Sequence, residues 1–231
     1  MVSDIHIIVV AAGSGTRFGS PLPKQFCQLE GRPVVMRAID SLRRALPDAA
    51  MTIVLAESDI DRFSYLCNLH QFASPQVVAG GATRWESVKR GLATVADGTR
   101  LVMVHDGARP FPTETMIESL VATMADDAVH GAVPVVPVTD SLRLLSDDRL
   151  GSVPFDRSRL RAVQTPQIFR ADELRRAYEL PYQETFTDDA SVIEAAGMGE
   201  VVLTQGDPLN LKITHPLDIT IAETILNSAV L

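Results

Sequence analysis

The sequence predicts an α/β fold, a doubly wound and mostly parallel sheet of the Rossmann-like type, and two observations carry that prediction. Short β-rich runs alternate with stretches of helical periodicity, and several of the runs are apolar throughout. Strands that read apolar at every position are strands buried on both faces, as a parallel sheet between two helix layers requires. The strand candidates are Ile5–Val10, Met51–Ala56, Gln76–Ala79, Leu101–His105 and Gly131–Val138. Between them, Pro33 suits a first helical position, and Val34, Val35, Ala38, Ile39, Leu42 and Ala45 form one apolar stripe. Thr83 and Glu86 have capping-box spacing ahead of Val88, Leu92 and Val95, and Thr113 can cap a helix through Ile117, Leu120 and Met124. Pro216 opens a last helix carrying Leu217, Ile221, Ala222 and Ile225. The resulting β-α-β-α order places binding loops at the C-terminal ends of the strands.

One segment breaks the alternation. Residues 139–165 are short, polar and β-like (Ser141–Leu145, Gly151–Phe155, Leu160–Val163), with turn residues between. They read as an arm projecting from a single domain that spans residues 1–231.

Composition narrows the function. Of 231 residues, 46% are hydrophobic and 22% charged, enough apolar material for a sizeable core. The net charge of −8 argues against a broad nucleic-acid or membrane surface, which needs clustered Lys and Arg. No apolar run approaches the length of a membrane span, and the N-terminus lacks the basic region of a signal peptide. Cys27 and Cys67 have neither metal-type spacing nor partners for a disulfide framework, which fits a reducing cytoplasm.

The chemistry begins at the first strand, which runs into Ala11-Ala12-Gly13-Ser14-Gly15-Thr16-Arg17-Phe18-Gly19 and then Pro23-Lys24-Gln25. Glycines after a strand let backbone N–H groups approach a phosphate. The loop is no Walker A motif, for no Gly-Lys-Ser/Thr follows, and Phe18 occupies the third glycine of a dinucleotide fingerprint. Arg17 and Lys24 add a guanidinium fork and a mobile ammonium to neutralise a polyphosphate.

This signature resembles that of the 2-C-methyl-D-erythritol 4-phosphate cytidylyltransferase family of the non-mevalonate isoprenoid pathway. Further segments match in order: Gly80-Gly81-Ala82-Thr83-Arg84-Trp85-Glu86-Ser87-Val88, Val104-His105-Asp106-Gly107-Ala108-Arg109-Pro110, Thr165-Pro166-Gln167, Thr187-Asp188-Asp189-Ala190-Ser191 and Asn210-Leu211-Lys212-Ile213-Thr214. The resemblance implies attack by a phosphomonoester oxygen on the α-phosphorus of CTP, with loss of pyrophosphate and with Mg²⁺ on the triphosphate. Such a nucleophile is mostly ionised at neutral pH, so no general base is required. Charge neutralisation and alignment are.

By the same resemblance, Arg17 and Lys24 stabilise the α-phosphate and the departing pyrophosphate. The loop residues Ala11, Ala12, Gly13 and Gly15, with Gly80, Gly81, Arg84 and Ser87, bind the nucleotide. Asp106 meets hydroxyls or metal-bound water where nucleotide and acceptor join. Arg109, Ser141, Arg157, Thr165, Thr187 and Lys212 hold the acceptor, with Arg157 and Lys212 gripping its phosphate. The arm hooks over a second subunit, so a homodimer is implied, with Ser141 and Arg157 acting in the partner's site. Two departures are small: Ser141 stands where Thr is expected, and Gly107 where Ala is expected, which should loosen that turn. A ribitol-5-phosphate cytidylyltransferase shares loop and mechanism, and a non-catalytic nucleotide-binding module on the same fold is the alternative from another class. Retention of Arg17, Lys24, Asp106, Arg157 and Lys212 together argues against the module.

Overall fold

A computed structural model describes residues 4–13, 18–19 and 22–228. The strands are β1 (Ile5–Ala11), β2 (Gln28–Leu29), β3 (Arg32–Pro33), β4 (Ala50–Leu55), β5 (Gln76–Ala79), β6 (Leu101–Asp106), β7 (Gly131–Pro137), β8 (Leu142–Leu145), β9 (Ser152–Phe155), β10 (Arg161–Val163), β11 (Gln167–Arg170) and β12 (Val201–Gln205). The α-helices are α1 (Val34–Ala45), α2 (Ile60–Leu69), α3 (Arg84–Leu92), α4 (Glu114–Thr123), α5 (Ala171–Ala177), α6 (Asp189–Ala195) and α7 (Leu217–Asn227).

Eight strands form the main sheet in the order β10-β7-β11-β6-β1-β4-β5, with β12 on β7. β1 pairs in parallel with β4 on one side and β6 on the other. It is therefore the strand at which the chain reverses its winding direction, and its C-terminal end opens the crevice where such sheets bind ligands.

The fully apolar strands are explained by the two layers. Along β1 and β6, Ile7, Val9, Leu101 and Met103 join a core shared with α1, α2 and α4. Ile8, Val102 and Val104 join a second core with α3, α5 and α6 on the opposite face. Successive side chains point to opposite faces, so every position of β6 and all of β1 but the half-buried Ile5 and Val10 are buried.

The helix starts follow their caps. Thr83 accepts from the Glu86 amide at 3.0 Å and Thr113 from the Met116 amide at 3.4 Å. Glu86 departs from the expected reciprocal box, because its Oε2 accepts from the Ala82 amide at 2.6 Å rather than from Thr83. Pro33 and Pro216 each sit one position earlier than expected, as N-cap residues of α1 and α7.

The sheet is less parallel than the sequence suggests. β11 enters antiparallel between β6 and β7, and β10 is antiparallel to β7. Leu160–Val163 was expected within the arm, but Arg161–Val163 belongs to the main sheet. Within residues 139–165 only β8 and β9 stand apart, as a two-stranded ribbon separate from the main sheet. From β10 to β11 the register against β7 slips by two residues, and the bulge falls at Thr165–Pro166. That bulge turns Thr165 toward the end of β6.

Candidate active site

A cleft of about 420 Å³ opens over the C-terminal end of β1, bounded by the loop after it, the start of α3, the end of β6 and the segment around Lys212. Its floor is set by close backbone packing. Gly80 lies against the β1 loop so tightly that a Cβ there would sit 2.5 Å from Ala12 Cβ and 2.9 Å from Ser87 Oγ. Only glycine admits that approach. Gln25, almost fully buried, donates to the carbonyls of Ala11 at 2.8 Å and Gly13 at 3.3 Å, which pins the start of the loop.

Ser87 was expected to read the base. Its hydroxyl donates to the Thr83 carbonyl at 2.9 Å and accepts from the Gly81 amide at 3.1 Å, so in this state it organises the loop at the cleft wall.

The charged centre is Asp106, at the last position of β6 and nearly buried. Its Oδ2 receives the Lys212 ammonium at 2.6 Å, and its Oδ1 faces Arg84 Nε at 3.3 Å. Arg84 reaches in the other direction to Asp189 Oδ2 at 2.7 Å. Burial alone would raise the Asp106 pKa, but the charges of Arg84 and Lys212 outweigh it and hold the carboxyl well below the usual range. For Arg84 burial opposes the charge, yet Asp189 and Asp106 raise its pKa well above ordinary. Four charges of alternating sign thus run Asp189, Arg84, Asp106, Lys212. Each exposed lysine proton beyond the one given to Asp106 remains a donor for a ligand, because an ammonium carries three.

Behind Asp106 lies a closed hydrogen-bond chain. His105 is fully buried, with Nε2 2.9 Å from the Arg109 carbonyl and Nδ1 3.2 Å from Thr165 Oγ1. A carbonyl only accepts, so Nε2 carries the proton and Nδ1 accepts from the Thr165 hydroxyl. That hydroxyl in turn accepts from the Asp106 amide at 3.0 Å. Burial pushes the His105 pKa from 6.5 down to about 4, so the ring is neutral at physiological pH. Neither imidazole nitrogen is available as a base, in keeping with the expectation that no general base is required.

The sequence-derived residues divide as follows. Ala11, Ala12, Gly13, Lys24, Gly81, Arg84, Ser87, Asp106 and Lys212 line one cleft. Gly80 packs against the same loops. Arg109 donates to the carbonyls of Asn210 at 2.7 Å and Val163 at 3.4 Å, tying the β6 loop to the segments on either side. Thr165 is buried and its hydroxyl is spent on His105 and Asp106, a different engagement from the acceptor contact expected of it. Ser141, Arg157 and Thr187 are exposed and outside the cleft, and Arg157 donates to the Thr139 carbonyl. Gly15 and Arg17 lie outside the described residues.

Gly107 corrects an expectation. Its amide donates to the Val10 carbonyl at 2.9 Å, and a Cβ would stand 3.0 Å from Ala11 Cβ and 3.1 Å from Val35 Cγ2. The glycine lets β6 close against β1 rather than loosening the turn. Sequence reasoning assigned no role to Gln25, Asn210 or Asp189. Asn210 is fully buried and donates to the Thr165 carbonyl at 2.8 Å, which seats Lys212 beside Asp106 together with the bond from the Ile213 amide to the Ala108 carbonyl at 2.8 Å. The signal available was their place inside motifs otherwise explained by their neighbours.

Comparison with known proteins decides which family this geometry serves. Residues 5–228 match the model of the family described as IspD, 2-C-methyl-D-erythritol 4-phosphate cytidylyltransferase. The chain belongs to that family. It is 43% identical over 226 residues to the 2-C-methyl-D-erythritol 4-phosphate cytidylyltransferase of Porphyromonas gingivalis, covering 96% of this chain and 98% of that one. The Bacteroides fragilis protein of the same name is 41% identical over 221 residues, covering 95% and 98%. The solved 4-diphosphocytidyl-2C-methyl-D-erythritol synthase of Anaerococcus prevotii superposes with a TM-score of 0.81 over 96% of each chain, at 24% identity, which speaks to the fold. In this family member, then, the cleft over β1 is lined by residues from the β1 loop, the Gly80–Val88, Val104–Pro110 and Asn210–Thr214 motifs, while the Thr165–Gln167 and Thr187–Ser191 motifs lie behind or outside it.

Proposed function

We propose that this protein transfers a cytidylyl group from CTP to 2-C-methyl-D-erythritol 4-phosphate, releasing pyrophosphate, in the synthesis of isoprenoid precursors. The observation that carries the reading is the convergence of the β1 loop, Lys24, Arg84, Asp106 and Lys212 on one cleft, in a chain matched to the family over residues 5–228. A phosphate oxygen of the acceptor forms a bond to the α-phosphorus, and the bond from that phosphorus to the bridging oxygen breaks toward pyrophosphate. Both reactants are polyanions, so the protein's task is to neutralise and align them. Lys24, with Arg17 from the same loop, serves the triphosphate side. Lys212, held by Asp106 at 2.6 Å, keeps donors for the acceptor phosphate.

Mg²⁺ is the proposed cofactor, supplying charge neutralisation between the phosphates when bound. Such an ion takes phosphate oxygens and water more readily than an all-protein cage, so the triphosphate would carry it. Asp106, with a cation on each oxygen, would meet the ion through a water.

The working unit is proposed to be a homodimer. The β8–β9 ribbon stands off the main sheet and exposes Leu144, Leu145, Leu150, Val153 and Phe155, with Leu150 90% exposed. A lone two-stranded ribbon is marginal in water, and covering this one would bury its apolar side chains. Ser141 and Arg157 then act in the neighbouring site. A cytoplasmic location agrees with two unpaired cysteines, and no helix among the described residues is long and apolar enough to cross a membrane.

The test is pyrophosphate release from CTP and Mg²⁺ with either 2-C-methyl-D-erythritol 4-phosphate or ribitol 5-phosphate. Faster release with ribitol phosphate, or release with neither, overturns the reading.

A further inference from the structure

We propose that Asp189 is a positioning residue for the nucleotide side of the reaction, acting on the cleft only through the guanidinium of Arg84. Asp189 has no exposed surface and does not line the cleft, so it does not meet substrate. A carboxylate buried to that degree is costly unless its oxygens are matched. Both are. Oδ2 receives Arg84 Nη2 at 2.7 Å, and Oδ1 receives the Tyr178 hydroxyl at 2.6 Å.

Each partner is itself fixed. Tyr178 is 2% exposed and stacks on Trp85, with ring centroids 5.6 Å apart and planes at 20°. The Lys89 ammonium lies 4.8 Å from the Trp85 ring. Trp85 follows Arg84 in α3, so the turn that carries Arg84 is gripped at both its guanidinium and its neighbouring ring. Asp189 is placed from the sheet side. Gln167 of β11 accepts from the Ala190 amide at 3.2 Å and donates to Asp188 Oδ2 at 3.0 Å, which locks the first turn of α6 to the strand inserted beside β6.

The result is a guanidinium held on two adjacent edges, Nη2 on Asp189 and Nε on Asp106. Among the described residues this leaves the Nη1 protons and the second Nη2 proton as the donors that Arg84 can offer a ligand. Without Asp189, Arg84 would retain only the longer 3.3 Å contact and its rotamer freedom. Its orientation toward bound nucleotide would then be one of several.

The proposal rests on the reading of Arg84 as a CTP-side residue, and a double-mutant cycle separates the two. In the native background, Asp189→Asn is expected to lower kcat/KM for CTP about tenfold or more, the scale of coupling between contacting charged groups, chiefly through KM. In the Arg84→Ala background the same change is expected to cost less than about twofold and to raise Tm, because it relieves a buried carboxylate left without its cation. Tyr178→Phe in the same cycle should show a smaller loss that also vanishes with Arg84, and it stands in if Asp189→Asn does not fold. Equal losses in both backgrounds, or no loss in the native one, overturn the proposal. If Arg84→Ala alone leaves kcat/KM unchanged, the assignment of Arg84 to the nucleotide has failed instead.

Discussion

Replacing His105 by Gln tests the electrostatics of the site without touching a group that meets substrate. The ring is fully buried, protonated at Nε2 toward the Arg109 carbonyl and accepting at Nδ1 from Thr165. Burial lowers its pKa from 6.5 to about 4. The unfolded chain takes up a proton near pH 6.5, whereas the native protein resists until about pH 4. In that window the unfolded state binds more protons, so stability rises with pH. The contribution is complete above pH 6.5, is lost as pH falls and is gone below about 4. At about 1.4 kcal/mol per pH unit the interval amounts to roughly 3 kcal/mol. Urea unfolding of native protein and His105→Gln at a series of pH values reads it directly. His6, also pulled down by burial and by Arg175, titrates in both proteins and cancels in the difference. The stability gap between the two should narrow by about that amount from pH 7 to pH 4. A gap that stays constant would mean that the ring is not held neutral, and the hydrogen-bond chain behind Asp106 would be wrong.

Three further outcomes are expected. Lys24→Ala and Arg17→Ala should each lower turnover by on the order of 10²–10³ with CTP binding only modestly weakened, as measured by pyrophosphate release and nucleotide titration. Gly80→Ala drives a Cβ to 2.5 Å from Ala12, so it should cost about 1–3 kcal/mol in chemical unfolding and raise KM for CTP; unchanged stability would contradict the packing. Leu144→Glu with Leu150→Glu, on the exposed ribbon, should convert the sedimenting species from dimer to monomer and abolish turnover while leaving far-UV circular dichroism intact.

Much of the fold was legible because its signals are local. Ile5–Ala11 and Leu101–Asp106 announce themselves by apolar runs broken only by His6 and closed by His105 and Asp106, and Thr83 and Thr113 by caps one turn ahead of an apolar stripe. Gln167–Arg170 did not: it is short, apolar only at Ile168 and Phe169, and its antiparallel insertion depends on a bulge at Thr165–Pro166. Val201–Gln205 is likewise short and lies at the margin of the sheet on β7.

The amino-acid sequence by itself determined which side chains this protein brings to its cleft: a glycine loop with cations behind it, an aspartate ending a buried strand and a lysine near the C-terminus. The tertiary structure alone decided how they pair. Arg84 meets Asp106 across 22 residues and Asp189 across 105, and Lys212 meets Asp106 across 106. Propensity, capping and periodicity act within a turn or two of chain, whereas ion pairs over such separations exist only once strand order is set. That order, with β6 and β11 side by side and β1 at the reversal point, makes Asp106, expected only to meet hydroxyls or metal-bound water, the junction of two cations.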